Sequence, residues 1–176
     1  MKKLSLIIVI LLSIFCSGCK KTHCPAFPAN LNYFPYFKGQ ELKFTNSQQN
    51  IRSFIVLEEE NSNAYSFEWN CKCACEACSL FSTSRNQDSL MISGEFYIIG
   101  GEDDSNISTV SIYFGNLRKK IDFEKSISYN EIYKYVADTI IIEDIGSKPI
   151  RKIVTVKNKG LISYTTADGE EWRLVE

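Results

Sequence analysis

From Gln40 onward, apolar and polar residues alternate in short runs. Val, Ile, Thr, Tyr and Phe are set between turn-forming clusters at intervals of about ten residues. Successive side chains of an extended chain point to opposite faces, so this period of two predicts half-buried antiparallel strands. The expected strands are Glu41 to Thr45, Ile51 to Glu59, Ala64 to Cys75, Ser89 to Ile99, Ile107 to Gly115, Lys119 to Phe123, Ala137 to Glu143, Ile150 to Val156, Leu161 to Thr165 and Glu171 to Val175. Turns are expected at Asn46 to Asn50, Asn61 to Asn63, Gly100 to Asn106, Gly146 to Pro149, Asn158 to Gly160 and Ala167 to Gly169. Asp168-Gly169 is the strongest hairpin signal, read as a tight two-residue turn. Ile140, Ile141 and Ile142 are apolar in succession, which predicts a strand covered on both faces; Trp69 and Trp172 are expected in the core. Only Tyr129 to Tyr135 suggests a turn of helix. The fold class is therefore all-β: an antiparallel meander of about ten strands, closing into a barrel-like (lipocalin-like) body or a sandwich.

The amino terminus has a different texture. Met1-Lys2-Lys3 is followed by an apolar run from Leu4 to Phe15, then Cys16-Ser17-Gly18-Cys19. A dozen apolar residues fall short of the roughly twenty a spanning helix needs, so the segment reads as a secretion signal. The break resembles the lipobox of bacterial lipoproteins, although Cys16 stands where an aliphatic residue is usual. The resemblance implies acylation of Cys19, which then becomes the first residue; the other reading is ordinary cleavage nearby, leaving Cys19 a thiol. Each buried methylene of an acyl chain contributes about 0.8 kcal/mol to membrane association, and two or three chains hold stably. Residues 1–18 are thus expected to be a lipoprotein signal peptide, 19–39 a lipidated arm, and 40–176 the β domain. The arm, rich in proline and aromatics, is expected to lay Phe27, Tyr33, Phe34 and Phe37 against the body.

Charge narrows the partners. The chain carries 20 Lys and Arg against 21 Asp and Glu, and losing Lys2 and Lys3 with the leader makes the balance more acidic. Arg118-Lys119-Lys120 is the longest basic run and suits a solvated strand end, so no nucleic-acid partner is expected.

The segments THCPAFP, YFPYFKGQELKFTN, SFEWNCKCACEAC and KGLISYTTADGEEWRLVE resemble those of an uncharacterised lipoprotein family of Bacteroidetes. The resemblance covers most of the chain after the leader and implies a cell-envelope lipoprotein without any particular reaction. Surface-exposed lipoproteins of that group often carry acidic residues after the acylated cysteine. Here Lys20, Lys21 and Thr22 follow, which implies a periplasm-facing place on the outer membrane.

The candidate chemistry lies in NCKCACEAC, with Cys71, Cys73, Cys75 and Cys78. Of seven cysteines, removing Cys16 and acylating Cys19 leaves these four and Cys24, an odd number, so at least one stays outside any internal disulfide. On one strand, Cys71, Cys73 and Cys75 share a face, with α-carbons about 6.6 Å apart. A tetrahedral zinc wants its sulfurs within about 4 Å, so an intact strand does not offer them to one ion. Cys71 to Cys73 lies near the long edge of disulfide reach; a turn at Glu76-Ala77 would bring Cys75 to Cys78, and Cys24 could reach an exposed member. Structural thiols with one or two disulfides lead; a copper or zinc site and thiol exchange remain as alternatives.

Catalysis finds little elsewhere. The only histidine, His23, sits on the arm, away from the rigid shell that a nucleophilic pair needs, and reads as a tether residue unless it joins Cys24 as a ligand. Glu58-Glu59-Glu60 and Glu102-Asp103-Asp104 fall in or beside expected turns and read as solvated tips. Gly100-Gly101 lacks the lysine of a phosphate loop. The expectation is a noncatalytic binding or structural protein, no enzyme and without a cofactor. It would meet the membrane through its anchor and a small apolar ligand or an envelope protein through its arm and interior.

Overall fold

In Glu41–Thr45 (β1), Leu42 and Phe44 are buried while Glu41 and Lys43 are exposed, and this alternation repeats around the molecule. The computed structural model describes residues 27–67, 73–86, 89–100, 106–115, 117–144 and 149–175. The further strands are Ile51–Phe67 (β2), Cys73–Thr83 (β3), Ser93–Gly100 (β4), Asn106–Phe114 (β5), Leu117–Ser128 (β6), Thr139–Glu143 (β7), Ile150–Val156 (β8), Gly160–Thr166 (β9) and Glu171–Leu174 (β10). They form one antiparallel ten-stranded sheet in the order β6-β5-β4-β3-β2-β1-β10-β9-β8-β7. Every neighbour in space is a neighbour in sequence except β1 and β10, whose pairing (Phe44 with Leu174, Thr45 with Arg173) joins the two halves. The sheet curls into a nearly closed barrel whose outer strands, β6 and β7, meet at a seam where Lys119 Nζ donates to Ile141 O at 3.4 Å. A 3-10 turn, Tyr129–Lys134, carries the chain across that seam, where a turn of helix was expected, and buries Ile132.

Several expected boundaries are corrected. The turn expected at Asn61 to Asn63 is absent: β2 runs straight through it, with Ser62 opposite Cys78. Phe67 of β2 pairs with Cys73 of β3 instead, so the single strand expected from Ala64 to Cys75 is divided between two strands. Three turn-forming residues are outweighed by a ladder that continues on both sides of them. One extra residue, Leu57, is absorbed as a bulge between Val56 and Glu58. The strand expected from Ser89 begins only at Ser93, because Asn86 closes a loop there: its Oδ1 accepts from Leu90 N–H at 2.8 Å. Ile141 is 45% exposed, so β7 is covered on one face only, by Ile140 and Ile142. Asp168-Gly169 belongs to a three-residue loop, with Gly169 at φ +89° and Thr166 N–H bonded to Glu170 O. Trp172 is in the core as expected, and Trp69 lies outside the described residues.

The core holds the largest departure. The arm does not lie against the body; it threads the interior. Leu31, Tyr33, Phe34 and Tyr36 are all buried among inward residues of the strands, while Phe37 is 65% exposed and does not pack as expected. Tyr33 stacks on Phe96 at 5.1 Å, and Phe34 meets Phe81 at 4.8 Å and Phe114 at 5.5 Å. Phe27 reaches Phe96 edge-on. Burying each such ring is worth about 1.5–3 kcal/mol, which ties the arm in. Two glycines make the room. A β-carbon on Gly94 would come within 2.6 Å of Phe81 Cε1 and 2.8 Å of Phe34 Cζ, and one on Gly160 (φ +82°) would strike the Tyr36 hydroxyl. The arm's polar groups are satisfied by strand ends: Leu161 N–H donates to Tyr36 Oη at 2.6 Å, Asn158 N–H to Asn32 O at 2.6 Å, and the Tyr33 hydroxyl to Ala137 O.

Candidate functional site

Antiparallel order places the turns β1–β2, β3–β4, β5–β6, β7–β8 and β9–β10 at one end of the barrel. With the arm filling the interior, two hollows open at that end, beside the core.

The first is polar, about 520 Å³, lined by Gln48, Asn50, Arg52, Ser53, Asn86 and Glu170, with Trp172 as part of its floor. Local chemistry builds it. Asn46 is buried, and its Oδ1 accepts from Gln48 N–H at 3.1 Å and Asn50 N–H at 2.8 Å, folding the β1–β2 turn around one side chain. Its Nδ2 donates to Glu170 Oε1, and Trp172 Nε1 donates to Glu170 Oε2 at 3.0 Å, so both carboxylate oxygens are held. Arg52 sits over Trp172, its Cζ 3.9 Å from the ring centroid, and Tyr164 stacks on the indole at 6.3 Å with planes 7° apart. This column runs from the rim into the core. Next to it, the Thr166 hydroxyl and then the Glu170 N–H hold the Asp168 carboxyl below its ordinary value, with a smaller pull from Arg52.

The second hollow is apolar and about 130 Å³, lined chiefly by Leu90, Met91, Ile92, Phe114, Leu117 and Ile153. It lies across the β3–β4 loop from the first, since Asn86 and Leu90, which bond to each other, belong to the two linings.

The cysteine candidates fall elsewhere. Cys19, Cys24, His23 and Cys71 lie outside the described residues. Cys73, opposite Phe67, and Cys75, opposite Tyr65, open β3. The expected turn at Glu76-Ala77 is absent, because both residues pair in the ladder, with Ile99 and Ile98 of β4. A continuous strand separates the α-carbons of Cys75 and Cys78 by about 10 Å, beyond disulfide reach, which removes that pairing. Cys78 is buried against Tyr97 of β4, whose phenol is raised by burial first and by Glu95 and Cys78 after that. Among the described residues no group of three or more His, Cys, Asp or Glu side chains is placed to hold a metal ion. Glu58 to Glu60, expected at a turn tip, lie on β2, and Glu102 to Asp104 lie outside the described residues.

The polar hollow was missed from sequence, although a signal was present. Arg52 has the parity of Phe54 and Val56, so alternation points a charged residue inward, and Glu170 has the parity of Trp172. Compared with known proteins, the chain matches no family model, no curated protein and no solved structure. Among the described residues no helix is long and apolar enough to cross a membrane.

Proposed function

We propose that this chain is a noncatalytic binding or structural protein of the bacterial cell envelope. Acyl chains on Cys19 hold it at the periplasm-facing side of the outer membrane, and it belongs with the Bacteroidetes lipoproteins whose segments it resembles. The observation that carries the binding part is the apolar crevice at the turn-lined end. Its aliphatic and aromatic lining is left open beside an interior already filled by Tyr33, Phe34 and Tyr36. A ligand therefore engages the barrel end and not its centre, unlike the ligand of a lipocalin-like cup. At about 130 Å³ the crevice suits one ring or a branched alkyl group, either a small apolar ligand or an anchoring side chain of an envelope partner.

Two measurements test the reading. Cys19→Ser is expected to abolish palmitate labelling and move the protein to the soluble fraction; retention on the membrane would remove the anchor. Benzene, whose size suits the crevice, is expected to shift the methyl resonances of Leu90, Leu117 and Ile153 saturably, and unmoved methyls would remove the binding part. Stoichiometric copper or zinc in the purified protein, lost when Cys73 and Cys75 become serine, would favour metal handling by Cys71, Cys73, Cys75, Cys78 and Cys24 instead.

A further inference from the structure

We propose that the polar hollow between the β1–β2, β3–β4 and β9–β10 turns is a binding site for a neutral saccharide of one or two rings. It is a separate site from the apolar crevice and stands or falls by itself.

Size comes first. At about 520 Å³ the hollow lies within the range of roughly 300–1,000 Å³ typical of small-molecule sites, at the mouth of a barrel, where such sites recur. The lining then selects the chemistry. Gln48, Asn50 and Asn86 bring carboxamides, a group that both donates and accepts; Asn50 Nδ2 donates to Gln48 Oε1 at 3.2 Å and Asn86 Oδ1 accepts from Leu90 N–H. A sugar hydroxyl likewise donates and accepts, so this mixture is its complement, whereas a purely apolar ligand would strip water from these groups without replacing it.

Charge excludes the other polar classes. Arg52 and Glu170 are the charged members of the lining, one of each sign, and both are engaged inside the protein: the guanidinium on the Trp172 face, the carboxylate by Asn46 and Trp172. An anion drawn to Arg52 meets Glu170, and a cation drawn to Glu170 meets Arg52. A neutral ligand meets no such conflict, and each fixed carboxylate oxygen keeps a second lone pair for a hydroxyl. Ile51, 66% exposed on the lining, supplies an apolar flank for the C–H face of a pyranose ring. The geometry is preorganised, because the turn folds around buried Asn46 and the carboxylate is pinned at both oxygens before any ligand arrives.

The test is a titration of the full-length protein, followed by NMR at the Trp172 indole N–H and the side-chain amides of Asn50 and Asn86. The probes are N-acetylglucosamine and its β-1,4-linked dimer, and, in separate samples, acetate and inorganic phosphate. The expected result is a saturable shift with the sugars and none with the anions. Gln48→Ala with Asn50→Ala is expected to weaken sugar binding at least about tenfold, the loss of one or two hydrogen bonds. If that pair disturbs the fold, Gln48→Trp, which puts a large ring on the exposed turn lining the hollow, is expected to abolish the shift. Silence with both sugars, an anion response at the same resonances, or undiminished sugar binding in Gln48→Trp would overturn the assignment.

Discussion

At the scale of single residues, the arm is locked by contacts that leave no slack. Gly94 faces three aromatic rings, so Gly94→Ala inserts a methyl group where none fits and is expected to cost about 1–3 kcal/mol in denaturant unfolding. Combined with Phe34→Leu, which removes one of the three rings it meets, the loss is expected to fall short of the sum of the two single changes, since both act on one space. An additive result would mean the ring does not sit over Gly94. Tyr33 and Tyr36 make a second case. Burial raises both phenols well above their ordinary value, helped at Tyr33 by Asp138 and opposed at Tyr36 by the Leu161 N–H. In the unfolded chain they ionise near pH 10 while the fold keeps them protonated. Stability is thus intact below about pH 10 and falls above it, by up to about 1.4 kcal/mol per pH unit per phenol. Tyr36→Phe strands the Leu161 N–H and is expected to lower stability at pH 7 by about 1–3 kcal/mol while making the alkaline decline shallower. Urea midpoints at pH 7 and pH 10.5 check both halves.

At the scale of elements, β2 is the unusual strand. Its first residues pair with β1 as far as Ile55, and Val56 closes the ladder through Gln40 O and Gly39 N–H. From Glu58 to Phe67 it pairs, among the described residues, with β3 alone, which leaves the other edge as a template for a further strand. Exposed Glu58 and Glu60 guard that edge. Replacing both with Thr is expected to produce concentration-dependent self-association in sedimentation; a persistently monodisperse protein would show that the charges do not protect it. Alternation alone located β1 and β8 at their true ends and most other strands to within a few residues. It failed at this hairpin, because Asn61-Ser62-Asn63 has turn chemistry while the winning term is the long-range register of Ser62 with Cys78, invisible to local pattern. The cysteine row was misplaced with it.

At the scale of the whole molecule, the class of the fold was legible and its filling was not. A period of two reports which residues turn inward, yet it does not say what they enclose, and YFPY has no period to declare it as core. The polar hollow is distributed in the same way: Asn46 and Glu170 lie 124 residues apart and meet only because β1 lies beside β10. Arg52 was the readable clue, a charge at an inward position that alternation would otherwise fill with an apolar residue.

That same neighbourhood sets an order of events. The opening strand of the meander, β1, has no second partner until β10 exists, so a nascent chain still missing β10 is left with an open sheet. Completion waits for β10, and such remote pairing is slow to find. A sheet whose first strand is clasped by its last closes only once the eight strands between them have been made.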